Sequence, residues 1–101
     1  MDAKILLGKI LQRFHDRGLV QVDGYSSFGY IRETATAIYI SREQGKDTRI
    51  PFNKLILAIE AFQKDVVLYN SGPSGLRKFG ITHVTGPVWA ILHLPDAEEF
   101  K

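Results

Sequence analysis

The stretch that decides the fold runs from residue 28 to residue 42 and has the sequence FGYIRETATAIYISR. It is rich in aromatic and β-branched residues, which favour strands. In its second half Ile38 and Ile40 alternate with Tyr39 and other residues, which is the period of two expected of a strand with one buried face. We therefore predict two paired strands here, over residues 28–33 and 35–42.

The flanking residues extend this pair into a β-meander over residues 19–51. Residues 19–22 favour a short strand, and Asp23-Gly24 after them is a strong two-residue hairpin signal. On the other side a polar turn precedes a short edge strand over residues 48–51, where Pro51 cannot donate to a ladder. The sequence thus predicts three or four antiparallel strands.

Helical periodicity lies on both sides of the meander. Residues 3–17 place apolar side chains on one helical face, and Gly18 suits a left-handed C-terminal cap. Residues 52–64 carry a second apolar stripe. Two shorter helices are predicted at residues 74–79 and after Thr85, which we expect to be the N-cap. The predicted fold class is α+β, with an N-terminal helix, an antiparallel meander and a three-helix C-terminal half.

We expect one domain over residues 1–101, because a chain of 101 residues builds a single core. Its parts are a helix at 1–18, the β-meander at 19–51, a helical part at 52–95 and an acidic tail at 96–101, which we expect to be frayed. Within the helical part, residues 66–69 favour a short strand or an extended linker.

Composition excludes several classes of function. The chain has no cysteine, so disulfides, thiolate metal sites and cysteine nucleophiles are absent. We see neither a secretory leader nor an apolar run near the ~20 residues that span a bilayer, so we expect a cytoplasmic protein without a membrane partner. The net charge is +2, but residues 1–95 carry 12 basic against 8 acidic side chains, a net +4, which allows a modest basic face.

No pattern typical of catalysis or metal binding occurs. His15, His83 and His93 form no i, i+4 pair, and the metalloprotease, hydrolase-elbow, P-loop and dinucleotide patterns are missing. We therefore expect no metal, no cofactor and no enzymatic activity. A minor enzyme hypothesis would combine Glu33 with a histidine.

Residues 74–94, SGLRKFGITHVTGPVWAILHL, carry the strongest functional signal. Leu76 and Phe79 would face inward, Gly80 would make a turn and Ile81 would enter the core. This pattern resembles helix-turn-helix and winged-helix DNA-binding domains, over the C-terminal half only. The resemblance implies contacts to DNA at the exposed opening of the last helix. The residues expected there are Arg77, Lys78, Thr82, His83 and Thr85.

A second set of basic residues surrounds the ends of the predicted hairpins: Arg32, Arg42, Lys46 and Arg49. Side chains in such places suit phosphate contact, although surface solvation explains them equally well. Together with the C-terminal segment they predict a non-enzymatic nucleic-acid-binding domain, with duplex DNA favoured over RNA as the partner.

Aromatic residues of the 24–31 segment, Tyr25, Phe28 and Tyr30, are candidates for stacking on unpaired bases. The alternative is ordinary cross-strand packing. The single tryptophan, Trp89, is expected in the core.

A different class of function also stays open, namely a small protein-interaction domain such as an immunity protein, an inhibitor or an adaptor. It would use the aromatic strand and an exposed helix face.

Overall fold

Helix α1, Ala3–Arg17, opens the computed structural model, which describes residues 1–101. Asp2 caps the helix, because its carboxylate accepts from the backbone N–H of Lys4 at 2.8 Å. Gly18 ends it with a φ of 74°, as predicted. The apolar face is buried as the periodicity indicated. Its buried residues are Leu6, Leu7, Ile10, Leu11 and Phe14.

Four antiparallel strands follow in the spatial order β1-β2-β3-β4, which confirms the meander. They are β1 Leu19–Val20, β2 Phe28–Glu33, β3 Ala37–Arg42 and β4 Thr48–Pro51. One face of the sheet is in the core, where Ile38, Ile40 and Ile50 are fully buried. On the opposite face Tyr39 pairs with an exposed arginine on each neighbouring strand.

The connection between β1 and β2 is longer than the predicted two-residue hairpin. Asp23-Gly24 does turn the chain, since Tyr25 N–H donates to Val22 C=O at 2.9 Å and Gly24 has a φ of 87°. The nearest paired residues, however, are Val20 and Phe28. Residues 21–27 therefore form a loop, and Tyr25 lies in this loop instead of in a strand.

The C-terminal half is helical, as predicted. It contains α2 Phe52–Lys64, a first 3₁₀ helix Val66–Asn70, a second 3₁₀ helix Pro73–Phe79, α3 Thr85–Ile91 and a third 3₁₀ helix Ala97–Phe100. Two local expectations were wrong. Residues 66–69 are not extended, because Asp65 accepts from Val67 N–H and nucleates a helical turn. Thr85 is not an N-cap: it is the first residue of α3, which has no side-chain cap.

The acidic tail is folded, contrary to our expectation that it frays. Phe100 is 1% exposed, and its ring centroid lies 5.2 Å from that of Phe62. Glu99 accepts two hydrogen bonds from the Arg13 guanidinium, at 2.7 and 2.9 Å. It also accepts from the backbone N–H of Asp96, which completes a capping box. The end of the chain is thus held against α1 by Arg13 and against α2 by Phe62.

One cluster of 26 buried apolar residues runs from Leu6 in α1 to Phe100 in the tail. It includes residues of the sheet, of α2 and of α3, so every layer contributes to the same core. No buried side-chain nitrogen or oxygen lacks a hydrogen-bond partner. None of the helices combines the length and hydropathy that a membrane crossing requires.

Candidate nucleic-acid interface

A groove of about 300 Å³ lies where the 21–27 loop, the end of β3 and the turn before α3 meet. We name it the Arg42–His83 groove. Its polar lining comes from Tyr25, Ser26, Arg42, His83 and Thr85, and its other walls from Phe28, Pro73, Gly86 and Pro87. A neighbouring hollow of about 240 Å³ shares Ser26 and Arg42 and continues toward Glu43. The two together form one concave surface.

Arg42 is the fixed cation of this groove. Its Nε donates to Thr48 Oγ1 at 2.7 Å, which orients the guanidinium, and its Nη2 lies 3.5 Å from the His83 carbonyl oxygen, a long hydrogen bond. Its Cζ is 6.0 Å from the centroid of the Phe28 ring. No carboxylate forms a salt bridge with it. A guanidinium has five N–H donors, and these two contacts leave three of them for a ligand.

His83 has an unusual backbone conformation. Its φ is 60°, and it is the only residue other than glycine with a positive φ. Val84 N–H donates to Thr82 C=O across it, so His83 is the centre of a tight three-residue turn. Histidine adopts such a φ at some cost, and strained residues cluster at functional sites. The turn leaves His83 exposed at the edge of the groove.

Tyr25 is the accessible aromatic ring of the groove. The residue is 44% exposed, and its ring centroid is 4.8 Å from that of Trp89. Trp89 is 4% exposed, in the core as predicted, and its Nε1 donates to the Leu68 carbonyl oxygen at 3.4 Å. Gly72, with a φ of 82°, lies beside the Tyr25 hydroxyl: a Cβ there would be 3.4 Å from that oxygen, an ordinary van der Waals contact. The Tyr25 ring therefore packs on the buried Trp89 ring, on the side away from solvent.

Glu43 limits where an anion can bind. Its carboxylate accepts from Ser27, from the backbone N–H and from the hydroxyl, both at 2.8 Å. These hydrogen bonds, the backbone one first, lower the pKa of Glu43, so the group is charged at neutral pH. A negative ligand is therefore repelled from the Glu43 hollow and favoured near His83.

The basic residues of the predicted hairpins do not all reach the groove. Arg32 and Arg49 lie on the opposite face of the sheet, on either side of Tyr39. The Cζ of Arg32 is 3.9 Å from the Tyr39 ring centroid, and Arg49 borders an open depression that also includes Thr36. Lys46 is exposed in the turn between β3 and β4. The structure thus brings Arg42 to the C-terminal segment and separates it from Arg32 and Arg49.

The residues of the helix-turn-helix-like segment also divide. Thr85 lines the groove and Thr82 is exposed beside His83, but neither Arg77 nor Lys78 is among the lining residues. Lys78 Nζ lies 5.5 Å from the Phe79 ring, next to a hollow on α2. Residues 87–91 of α3 are all buried. Only the N-terminal end of α3 is accessible to solvent, so this helix has no free face to lie along a DNA groove.

The stacking platform expected on β2 is not formed. Phe28 is 6% exposed and belongs to the core. Tyr30 packs edge-on against Phe14, with ring centroids 5.5 Å apart, and its hydroxyl donates to Glu33 at 2.8 Å. Burial, followed by this hydrogen bond, raises the pKa of Tyr30 to about 12. These two residues serve cross-strand and helix packing, and only Tyr25 is available to a ligand.

Two contributors to the groove have no signal in the sequence. Ser26 lines it from a loop that was expected to be a strand, and Thr48 orients Arg42 from the adjacent strand. The Thr48 contact depends on the register between β3 and β4, in which Thr48 pairs with Ile40. The position of Ser26 depends on the loop between Val20 and Phe28, the nearest paired residues of β1 and β2. Residue type alone does not indicate such a supporting contact.

Comparison of the chain with protein-family models, with curated proteins and with solved structures found no match. The groove is lined by an arginine whose guanidinium is held by Thr48, by a histidine and by three residues that carry hydroxyls, and no acidic residue lines it. No hydrogen bond joins His83 to a hydroxyl that it could activate as a nucleophile. Such a lining suits the binding of an anion.

Proposed function

We propose that the chain is a non-enzymatic nucleic-acid-binding domain that holds a phosphate of DNA in the Arg42–His83 groove. One observation carries the proposal: Arg42 and His83, 41 positions apart in the sequence, line one concave surface. Each belongs to a different set of residues that the sequence indicated as phosphate contacts. Their convergence with Thr85 supports a common anionic ligand.

A phosphate matches the donors that the groove provides. The planar guanidinium of Arg42 can donate two parallel hydrogen bonds to phosphate oxygens, an arrangement stronger than a point charge gives. Hydroxyls of Ser26 and Thr85 line the same groove and can donate as well. Lys46, exposed on the next turn, adds charge for a neighbouring phosphate.

The burial of α3 determines which kind of recognition we propose. A recognition helix reads base edges with side chains along an exposed face, and residues 87–91 have none. We therefore propose contact mainly through the backbone, with weak base preference. This differs from the contact mode that the helix-turn-helix resemblance implies.

The test is a salt-titrated binding assay with a labelled DNA duplex, measured by fluorescence anisotropy between about 50 and 200 mM salt. We expect affinity to fall with salt, by a slope of about 0.9 in log K per log salt for each phosphate contacted. Arg42→Ala should reduce that slope by roughly one contact and weaken binding about tenfold or more, because it removes a charged hydrogen-bond donor. Arg42→Lys should retain the slope but lose part of the affinity.

Arg17→Ala is the matched control. It removes the same charge from an exposed residue at the end of α1 that does not line the groove. If Arg42→Ala and Arg17→Ala weaken binding equally, the groove is not the phosphate site. If affinity is independent of salt, phosphate contact itself is excluded.

A protein-interaction domain is the second candidate, and the observation that favours it lies on α2. Leu57 is 44% exposed and lines a hollow of about 160 Å³ together with Ala61 and Phe79. A partner that inserts an apolar side chain there would lose affinity with Leu57→Glu. That variant should leave DNA binding unchanged, so the two proposals can be separated.

A further inference from the structure

The size of the Arg42–His83 groove limits which form of nucleic acid could enter it. Its volume of about 300 Å³ is at the lower end of the range for small-molecule pockets, about 300–1,000 Å³. Base pairs stacked within a duplex cannot enter a concavity of this size. A nucleotide turned out of the stack, or in a single strand, presents its base and phosphate separately and can enter.

The chemistry of the groove is divided in the same way as a nucleotide. One part is cationic and rich in donors, where Arg42 contacts the His83 backbone. Another part is made of flat or apolar groups, Tyr25 and Pro73, with Gly72 beside the Tyr25 hydroxyl. A phosphate is matched to the first part and a base to the second.

The orientation of the Tyr25 ring is held by its contact with Trp89. The ring centroids of Tyr25 and Trp89 are 4.8 Å apart. The Trp89 indole is itself held in place, because it donates a hydrogen bond to the Leu68 carbonyl oxygen and its ring centroid lies 4.0 Å from that of His93. A ring supported in this way loses little freedom when a ligand packs on it, which favours affinity. Because 44% of the residue is exposed, part of its surface is accessible from the groove.

We infer that the groove receives a single unpaired nucleotide, whose phosphate binds Arg42 and whose base stacks on Tyr25. This inference rests on the proposed function and makes it narrower: the chain prefers DNA with unpaired bases to a continuous duplex. Stacking on an aromatic ring is tolerant of base identity, so the preference concerns pairing more than sequence.

The experiment uses three labelled DNAs of equal length: a continuous duplex, the same duplex with a short central mismatch bubble, and one strand alone. Dissociation constants are measured by anisotropy at one salt concentration. We expect the bubble and the single strand to bind about tenfold or more tightly than the duplex. Tyr25→Ala should remove most of this preference, and Arg42→Ala should weaken binding to all three.

Tyr39→Ala is the matched control for Tyr25→Ala, since Tyr39 lies on the other face of the sheet beside Arg32. Thermal unfolding of each variant identifies any that are not folded, and Tyr25→Leu replaces Tyr25→Ala if the latter is unstable. A deoxynucleoside monophosphate is titrated in parallel by calorimetry, because a free nucleotide carries the same base and phosphate. We expect it to bind more weakly than the single strand.

Each outcome decides the inference. Equal affinity for duplex and bubble, with both weakened by Arg42→Ala, overturns the preference for unpaired bases but leaves the proposed function intact. Loss of the preference in Tyr39→Ala, and not in Tyr25→Ala, places the stacking site elsewhere and also overturns it. Tighter binding of the monophosphate than of any DNA assigns the groove to a free nucleotide. Absence of binding to all ligands contradicts the proposed function as well.

Discussion

Replacement of Glu99 by glutamine tests whether the end of the chain stabilises the fold. Glu99 receives two hydrogen bonds from Arg13, and 31% of its side chain and 37% of that of Arg13 are exposed. Glutamine has the same shape and can still accept from the backbone N–H of Asp96. Glu99→Gln therefore removes the charge and one half of the paired contact, and little else.

The expected loss of unfolding free energy in Glu99→Gln follows from the pKa of the Glu99 carboxyl. The hydrogen bond from Arg13 is the largest cause that lowers the pKa of Glu99, from 4.5 to about 2. A change of that size corresponds to about 3.4 kcal/mol at neutral pH. Because both partners are partly exposed and screened by solvent, we expect about 1–2 kcal/mol. In a domain of this size, that lowers the melting temperature by about 5–15 °C.

The stabilisation of the fold by the Glu99 carboxylate should decrease at low pH. Since the pKa is lower in the folded state, the stabilisation is complete above the unfolded pKa of about 4.5 and is lost as the pH falls toward about 2. The difference in unfolding free energy between the wild type and Glu99→Gln should therefore be about 1–2 kcal/mol at pH 7 and close to zero near pH 2.

The assay is urea unfolding at pH 7 and at several values down to pH 2, followed by circular dichroism. Glu98→Gln is the control, because Glu98 pairs only with Lys101, at 3.1 Å, and is mostly exposed. We expect this control to change stability by less than about 0.5 kcal/mol. Equal stability of the two variants at pH 7, or the same deficit of Glu99→Gln at pH 7 and at pH 2, would refute the reasoning.

Three further substitutions test other parts of the structure. Phe100→Ala should destabilise the fold by about 3–5 kcal/mol in urea unfolding, because it empties a fully buried site; a loss below 1 kcal/mol would mean that the tail is frayed after all. His83→Gly should be more stable than His83→Ala by about 0.5–1 kcal/mol, since glycine accepts the positive φ that alanine does not, and equal melting temperatures would show that no strain is present. Thr48→Val should weaken DNA binding about two- to tenfold, because the Arg42 side chain then has to be ordered on binding, which costs about 0.5–1.5 kcal/mol. Unchanged affinity would show that Thr48 does not contribute to binding.

Elements with a clear period were predictable from the sequence. Helix α1 and helix α2 have the predicted bounds, because each carries an apolar stripe that only one helical arrangement buries. The first 3₁₀ helix was not predictable, since its valines favour a strand and only the capping carboxylate of Asp65 turns the chain. The order of the tail does have a signal in the sequence, because Asp96 followed three residues later by Glu99 is a capping-box pattern.

The candidate site was predictable only in its parts. Basic and hydroxyl residues could be identified by type, but which of them meet depends on contacts far apart in the sequence. The Arg42–His83 contact spans 41 positions, and strand alternation places Arg49 on the opposite face. The length of the 21–27 loop, which brings Tyr25 to the groove, follows from the pairing of Val20 with Phe28. Register is a property of the assembled sheet.

The contact between Tyr25 and the protein's single tryptophan has a practical consequence. Trp89 is shielded from solvent, so its emission reports on the aromatic rings around it, chiefly Tyr25 and His93. A molecule entering the groove and shifting the tyrosine would alter that emission. The unmodified chain thus contains its own optical probe of occupancy, which needs no attached dye.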